Sequence, residues 1–319
     1  MKILIIKLGA LGDIIISTSI INEILRYHKK DDVHLLTTPP FKNLFNKKKN
    51  LTVVSYERHG FINLIKTIHW IRIKQFKNIY DLQSNDRSGI YCALSGNSFC
   101  AGNHPRFPYD AHPPNTYKGE CHSFERLNQI IISAGINPAK PEPSLPAPPG
   151  VVSKISNWLK EKNLRQKDFI IIHAGSSNKH IQKRWPYFKE LALILKKSFE
   201  IVWVGGDDDA NLNAHLAKFA GINATNNFDI LDLAELGRRA KFAITNDSAP
   251  MHILSCSKIP VLGIFGPTYP RRTHALGQIQ NVICPNNIIA KNDMEFTPKN
   301  ISIITIADVI GKIKKQKLI

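Results

Sequence analysis

KILIIKLGALGDIIISTS, residues 2–19, sets the reading of the first half of this chain. An apolar, β-rich run stops at small residues, and an amphipathic helical pattern follows. The second half holds a counterpart, FAITNDSAPMHILSCSKIPVLGIFGPTYP, residues 242–270. Strand-to-helix turns of this kind let a parallel α/β sheet present free backbone N–H groups and a helix N-terminus to an anionic ligand. The first turn carries a carboxylate, Asp13; the second carries Asp247, Ser248 and His252. A base in one half and a phosphate site in the other suggest group transfer across a cleft.

At 319 residues the chain suits two domains, 1–150 and 151–319. Hydrophobic residues make up 43% of it, as in a globular protein, and no apolar run reaches the roughly 18–20 residues of a membrane span. Lys2 ahead of an apolar run resembles a secretory leader, but Lys7 interrupts the run and Gly12-Asp13 follows, which fits a buried first strand. The five cysteines are odd in number and widely spaced, without a CxxC or Cys/His cluster. Reduced thiols in the cytoplasm are the expectation.

The formal net charge is +18. Residues 41–80 hold nine basic residues against Glu57. Within that segment Phe61, Leu64, Ile65, Ile68 and Ile71 recur at helical spacing, with Lys66, Arg72, Lys74 and Lys77 among them. Such a helix either packs on the core with a solvated face or meets an anionic partner such as a membrane surface. A cytoplasmic leaflet attracts basic surfaces, and nucleic acid attracts them equally.

Apolar β-rich runs at 3–6, 33–36, 51–54 and 79–82 alternate with helical patterns, which indicates a parallel sheet with crossover helices. Residues 138–150 hold six prolines and no periodicity, and read as an extended interdomain linker. A helix over 152–162 and a second strand series at 169–173, 201–204, 242–245 and 260–265 follow. A basic helix over 306–317 ends the chain.

Gly9 and Gly12 stand three apart at the first turn, where they permit a sharp bend and a close ligand approach. That spacing is not GxGxxG, and the second strand ends HLLTTPP without an acid, so a nicotinamide site is not expected. No P-loop motif occurs. Asp13 fits either a helix N-cap or a base. The loop from His173 to Lys179 is small and hydroxylated, and Lys183-Arg184-Trp185-Pro186 follows it. Its cations suit a diphosphate, Trp185 suits packing, and Pro186 suits a first helical turn. Asp207, Asp208 and Asp209 end another strand, where they fit a magnesium site, a carboxylate contact to ribose hydroxyls, or dipole-complementing capping. N–H groups at Ser248 and Ala249 would face a phosphate, and His252 a sugar hydroxyl or phosphate.

At these residues the sequence resembles the bacterial ADP-heptose:lipopolysaccharide heptosyltransferases, glycosyltransferase family nine. The carriers are Leu11-Gly12-Asp13, Lys183-Arg184-Trp185-Pro186, residues 247–252 read as D-[ST]-G-x-x-H, and Phe265-Gly266-Pro267-Thr268. Asp81-Leu82-Gln83, with Arg87 beyond, is similar to the family's acceptor-side strand end. The resemblance implies a GT-B architecture: α/β, two Rossmann-like domains facing a cleft. It also implies inversion without a metal, and no cofactor beyond the substrate ADP-heptose. Asp13 falls on the acceptor-activating base, and Lys183 on the diphosphate-binding lysine. Asp207, Asp247, Ser248, Ala249 and His252 are expected on the donor side, and Gly12, Gln83 and Arg87 on the acceptor side. Ala249 stands where the family usually has glycine, so weaker or shifted donor binding is expected. The expected acceptor is the anionic inner core of lipopolysaccharide, reached peripherally at the cytoplasmic face of the inner membrane. Two other readings stay open. A sugar-nucleotide epimerase or hydrolase would keep the donor site, and a nucleic-acid-binding protein would explain the charge but lacks any recognisable motif.

Overall fold

A computed structural model describes residues 1–45, 48, 50–96, 98–114, 121–292 and 294–319, the side chain of Asn287 excepted. Lys47 and Lys49 of the basic segment therefore lie outside the described residues. The chain divides between Pro146 and Ala147 into two compact units.

The first unit runs β1 (Lys2–Ile6), α1 (Leu11–Tyr27), β2 (Asp32–Thr37), β3 (Leu51–Ser55), α2 (Phe61–Lys74), β4 (Asn78–Asp81), α3 (Asp86–Ala93), β5 (Phe99–Ala101) and α4 (Ser123–Ser133). Its sheet has the order β3-β2-β1-β4-β5, with every pair parallel. β1 is central, and Ile3, Leu4, Ile5 and Ile6 are all buried. A parallel strand covered on both faces reads as a continuous apolar run, which is why KILII was legible as one. The helix after it is less one-sided than its pattern suggests, since residues 14–21 of α1 are all buried. One side faces the sheet and another meets α4 and the proline-rich segment.

That segment corrects the reading of an extended linker. Ser144 donates its N–H to Thr18 Oγ1 at 3.0 Å and accepts from Asn22 Nδ2 at 3.0 Å. Asn128 Oδ1 accepts the Ala139 N–H at 2.8 Å. Ala139 and Leu145 are buried, so residues 138–146 are strapped to the first unit. Pro149 and Gly150 already belong to the next helix.

The second unit runs α5 (Pro149–Glu161), β6 (Phe169–His173), α6 (Phe188–Leu195), β7 (Glu200–Trp203), α7 (Ala210–Ala217), β8 (Ile222–Asn223), α8 (Ile230–Arg239), β9 (Ala243–Asn246), α9 (Ala249–Ser255), β10 (Val261–Ile264), α10 (Pro270–Thr273), β11 (Val282–Ile283) and α11 (Ile306–Lys315). Its parallel sheet has the order β11-β10-β9-β6-β7-β8. Trp185, Phe188, Trp203 and Phe242 help fill one side of it. β5, β8 and β11 carry two or three residues each, too few for a period-2 signal. Helix α6 starts at Phe188 after Tyr187, so Pro186 precedes the helix and is not a first-turn residue.

The α2 helix departs from its expected stripe. Thr67 and Ile71 are buried, and Leu64 and Ile68 pack on the core. Phe61 and Ile65, at the edge of that stripe, are not covered: Phe61 is 73% exposed and Ile65 50%, beside Ile62 at 68% and Ile73 at 64%. Lys66 and Arg72 are exposed as well.

Candidate active site

Doubly wound sheets bind ligands at the strand C-termini where the strand order reverses. In the first unit that point lies between β1 and β4. The β1–α1 turn and the loop after Asp81 leave the sheet there. Gly9 has φ +143°, and a Cβ on it would stand 3.3 Å from Phe41, so the bend falls on Gly9; Gly12 is inside α1. Gln83 Oε1 accepts the Leu8 N–H at 3.0 Å, Thr38 Oγ1 donates to the Leu8 carbonyl at 3.0 Å, and Lys7 Nζ donates to the Leu82 carbonyl at 3.1 Å. The turn is tied down on both sides.

Asp13 is half-buried at the third helical position. The N-cap is Ala10, which corrects the capping reading of Asp13. Lys7 is 2% exposed; burial pulls its ammonium pKa below the usual lysine range, and the nearby Asp13 and Asp81 charges oppose that pull. Asp81 is fully buried. Its Oδ2 accepts from Tyr109 Oη at 2.6 Å, and its Oδ1 accepts the N–H groups of Gln83 and Ser84 at 3.0 and 2.8 Å. Burial raises the pKa of this carboxyl against those bonds. Arg87 donates to the Gly60 carbonyl at 3.0 Å and to Tyr91 Oη at 2.8 Å. Both Gln83 and Arg87 thus make internal bonds, Gln83 to the turn that bears Asp13.

In the second unit the strand order reverses between β6 and β9. The segment from His173 to Lys183 and the residues around Asp247 leave the sheet there. Asn246, fully buried, donates from Nδ2 to the Ala174 and Gly175 carbonyls at 2.8 and 3.0 Å and accepts the Trp185 N–H at 3.2 Å. It clips both loops together. Trp185 donates from Nε1 to the Ile304 carbonyl at 2.8 Å, so it is a packing residue, as expected. Lys183 Nζ lies 2.7 Å from Asp247 Oδ2. The same oxygen accepts from Thr268 Oγ1 at 2.8 Å, and Asp247 Oδ1 accepts from Thr273 Oγ1 at 3.4 Å. Three sequence motifs therefore converge on one carboxylate. Ser248 is the N-cap of α9, and Ala249 is its first residue. His252 is buried on that helix.

The three aspartates after β7 part company. Asp207 accepts from Asn226 Nδ2 at 2.7 Å, Asp208 from Asn178 Nδ2 at 2.8 Å, and Asp209 Oδ2 pairs with His173 Nε2 at 3.2 Å. Among the described residues no three His, Cys, Asp or Glu side chains gather as a metal-ligand set. Asp209 is 5% exposed and His173 3%. Burial pushes the Asp209 carboxyl up, but His173, the Gly206 N–H and Arg184 outweigh it and hold its pKa below the usual value. A Cβ on Gly175 would sit 1.7 Å from Asp209 Oδ1, and one on Gly205 would sit 2.6 Å from Oδ2. His173 Nδ1 is 3.0 Å from Ser248 Oγ. Motif reading took Asp209 only as part of the aspartate run and did not single out His173 or Asn246 as site residues. Their signal was polar side chains at or just beyond the C-terminal ends of apolar strands.

Residues 143–300 match the family model for Glycosyltransferase family 9 (heptosyltransferase). Lipopolysaccharide heptosyltransferase 1 of Campylobacter coli is 25% identical, over 89% of this chain and 89% of that one. In fold, the chain is similar to a family 9 glycosyl transferase from Veillonella parvula, with TM-score 0.83, 18% identity and coverage of 98% and 96%. It is also similar to the E. coli ADP-heptose lps heptosyltransferase II, with TM-score 0.76, 18% identity and coverage of 99% and 98%. The fold is thus α/β with two Rossmann-like units of the GT-B class. The chain carries a glycosyltransferase family 9 (heptosyltransferase) domain and is an enzyme of glycosyl transfer.

Proposed function

We propose that the enzyme moves a heptose from ADP-heptose to an acceptor hydroxyl in the inner core of lipopolysaccharide, inverting the anomeric carbon without a metal ion or cofactor. Asp13 removes the acceptor proton as that oxygen attacks; a carboxylate suffices because the proton becomes acidic only as the bond forms. Lys183, with the N–H groups at Ser248 and Ala249, stabilises charge growing on the departing diphosphate. Asp207 is assigned to the ribose hydroxyls and His252 to the sugar or phosphate. On the acceptor side Gly12, Gln83 and Arg87 shape the site, Gln83 through the Leu8 N–H that fixes the Asp13 turn.

One observation carries the reading: Lys183, Asp247 and Thr268, from three separate motifs, meet within 2.8 Å at the switch point of a doubly wound sheet. A cation pre-set on a carboxylate is ready to be shared with an incoming diphosphate. The enzyme acts at the cytoplasmic face of the inner membrane, held peripherally by the exposed side of α2. Incubation with ADP-heptose and a panel of truncated lipopolysaccharides, read by acceptor mass, tests the reading. One acceptor should gain one heptose. Free heptose with no acceptor gain would replace transfer with hydrolysis.

A further inference from the structure

We propose that His173 takes up a proton when an anionic diphosphate binds beside Ser248. The inference rests on the donor-site reading above and adds a proton to it.

The chain Asp209–His173–Ser248 restricts where hydrogens can go. Asp209 Oδ2, an ionised carboxylate oxygen, only accepts, so Nε2 of His173 carries a hydrogen in every state. Nδ1 faces Ser248 Oγ at 3.0 Å, and the same Oγ lies 3.2 Å from the Asn246 carbonyl. With Nδ1 unprotonated, Ser248 donates inward to the ring and turns only lone pairs outward. A phosphate oxygen meeting those lone pairs is repelled. With Nδ1 protonated, the ring donates to Ser248 Oγ, and the hydroxyl hydrogen, which the Asn246 carbonyl accepts at 3.2 Å before a ligand arrives, can turn to a phosphate oxygen. The proton comes from solvent buffer, no other bond changes, and by linkage anion binding and proton uptake favour each other.

The surroundings support the charged ring. The charged groups about it are Asp209 against Nε2, Arg184 beyond with Nη2 3.7 Å from Asp209 Oδ1, and the Lys183–Asp247 pair flanking Ser248. Asp209 Oδ1 makes no hydrogen bond among the described residues, so this carboxylate retains capacity for a fuller ion pair. It cannot swing aside, because the backbones of Gly175 and Gly205 lie too close to it for even a Cβ. Ser248 itself is half-buried and can reach a ligand.

The test is calorimetric titration of the full chain with ADP at about pH 8, in buffers of differing ionisation enthalpy. The buffer dependence of the heat counts protons. Uptake approaching one proton per ADP is expected for the wild type. Near-zero uptake is expected for His173→Gln, which keeps a donor toward Asp209 but has no second ring nitrogen. Ser248→Ala leaves the ring in place and cuts its link to the ligand, so uptake should fall there too. That variant keeps the test valid if His173→Gln melts early. Wild-type binding without uptake, or uptake unchanged in either folded variant, overturns the inference alone. Absence of ADP binding overturns the donor-site reading and the inference with it.

Discussion

Lys183 Nζ and Asp247 Oδ2 stand 2.7 Å apart, both largely shielded from water. The pair holds the lysine in one place before any ligand arrives, so its binding geometry is set in advance. Lys183→Ala should lower single-turnover transfer by about 10²–10³-fold, the scale of losing one pre-organised donor on developing charge. It also removes the cationic partner of the largely buried Asp247, so a stability loss of about 1–3 kcal/mol is expected in thermal melts. Near-normal transfer with a lowered melting temperature would make the pair structural only.

Asp13→Asn separates chemistry from helix start. Because Asp13 is the third helical residue and not the cap, Asn loses the carboxylate's interaction with the helix dipole, about 0.3–1 kcal/mol, and its attraction to the buried Lys7 ammonium. The variant should fold and bind ADP normally, while transfer falls by about 10²–10⁴-fold. A variant within threefold of wild-type turnover would leave the base unassigned.

Much of this site was legible in the sequence because strand ends in a doubly wound sheet must announce themselves. Ile3–Ile6 stops at Leu8-Gly9, and Ala243–Asn246 stops at Asp247-Ser248, so polar and small residues mark the switch points. What could not be read was pairing across sequence. Nothing local says that Gln83 will hold Leu8, or that Asp209 rather than Asp207 will turn inward to His173. The proline-rich segment misled for the same reason: proline content predicts an extended backbone, but the hydrogen bonds Ser144 makes, to Thr18 and from Asn22, decide where it lies.

Catalysis is expected to survive chelation. Asp207, Asp208 and Asp209 each have a different partner, and Lys183 carries charge where a metal would. Activity in excess EDTA should stay within about twofold, a barrier change of about 0.4 kcal/mol. Loss restored by magnesium would contradict the metal-free mechanism.

His274 supplies a pH signature. Burial lowers its pKa to about 4, against a Pro270 carbonyl that accepts from Nδ1 at 3.0 Å. The unfolded chain therefore binds a proton that the folded chain refuses between about pH 6.5 and about 4. Stability from this group is fully present above the higher value and is lost as pH falls through that window, by at most about 3 kcal/mol. His274→Asn, which keeps a donor to the carbonyl, should flatten the melting temperature over that range relative to wild type. An unchanged slope would place the acid sensitivity elsewhere.

If α2 docks on a membrane as proposed, its exposed side should make the association partly apolar as well as electrostatic. Phe61, Ile62, Ile65 and Ile73 lie on one side with Lys66 and Arg72, the arrangement by which an interfacial helix sinks an apolar face below anionic headgroups. Two sets of variants divide the contributions. Lys66→Glu with Arg72→Glu should weaken binding to anionic vesicles most at low salt, by about 1 kcal/mol per charge removed near the surface. Phe61→Ser with Ile62→Ser and Ile65→Ser should weaken it at all salt concentrations. These three side chains are exposed, so folding and ADP binding should be spared, and vesicle cosedimentation in a salt series reads both effects. If the apolar triple variant binds vesicles as wild type does, the helix face lies outside the membrane contact. If salt alone releases the wild type completely, attraction to the surface is electrostatic and nothing is inserted.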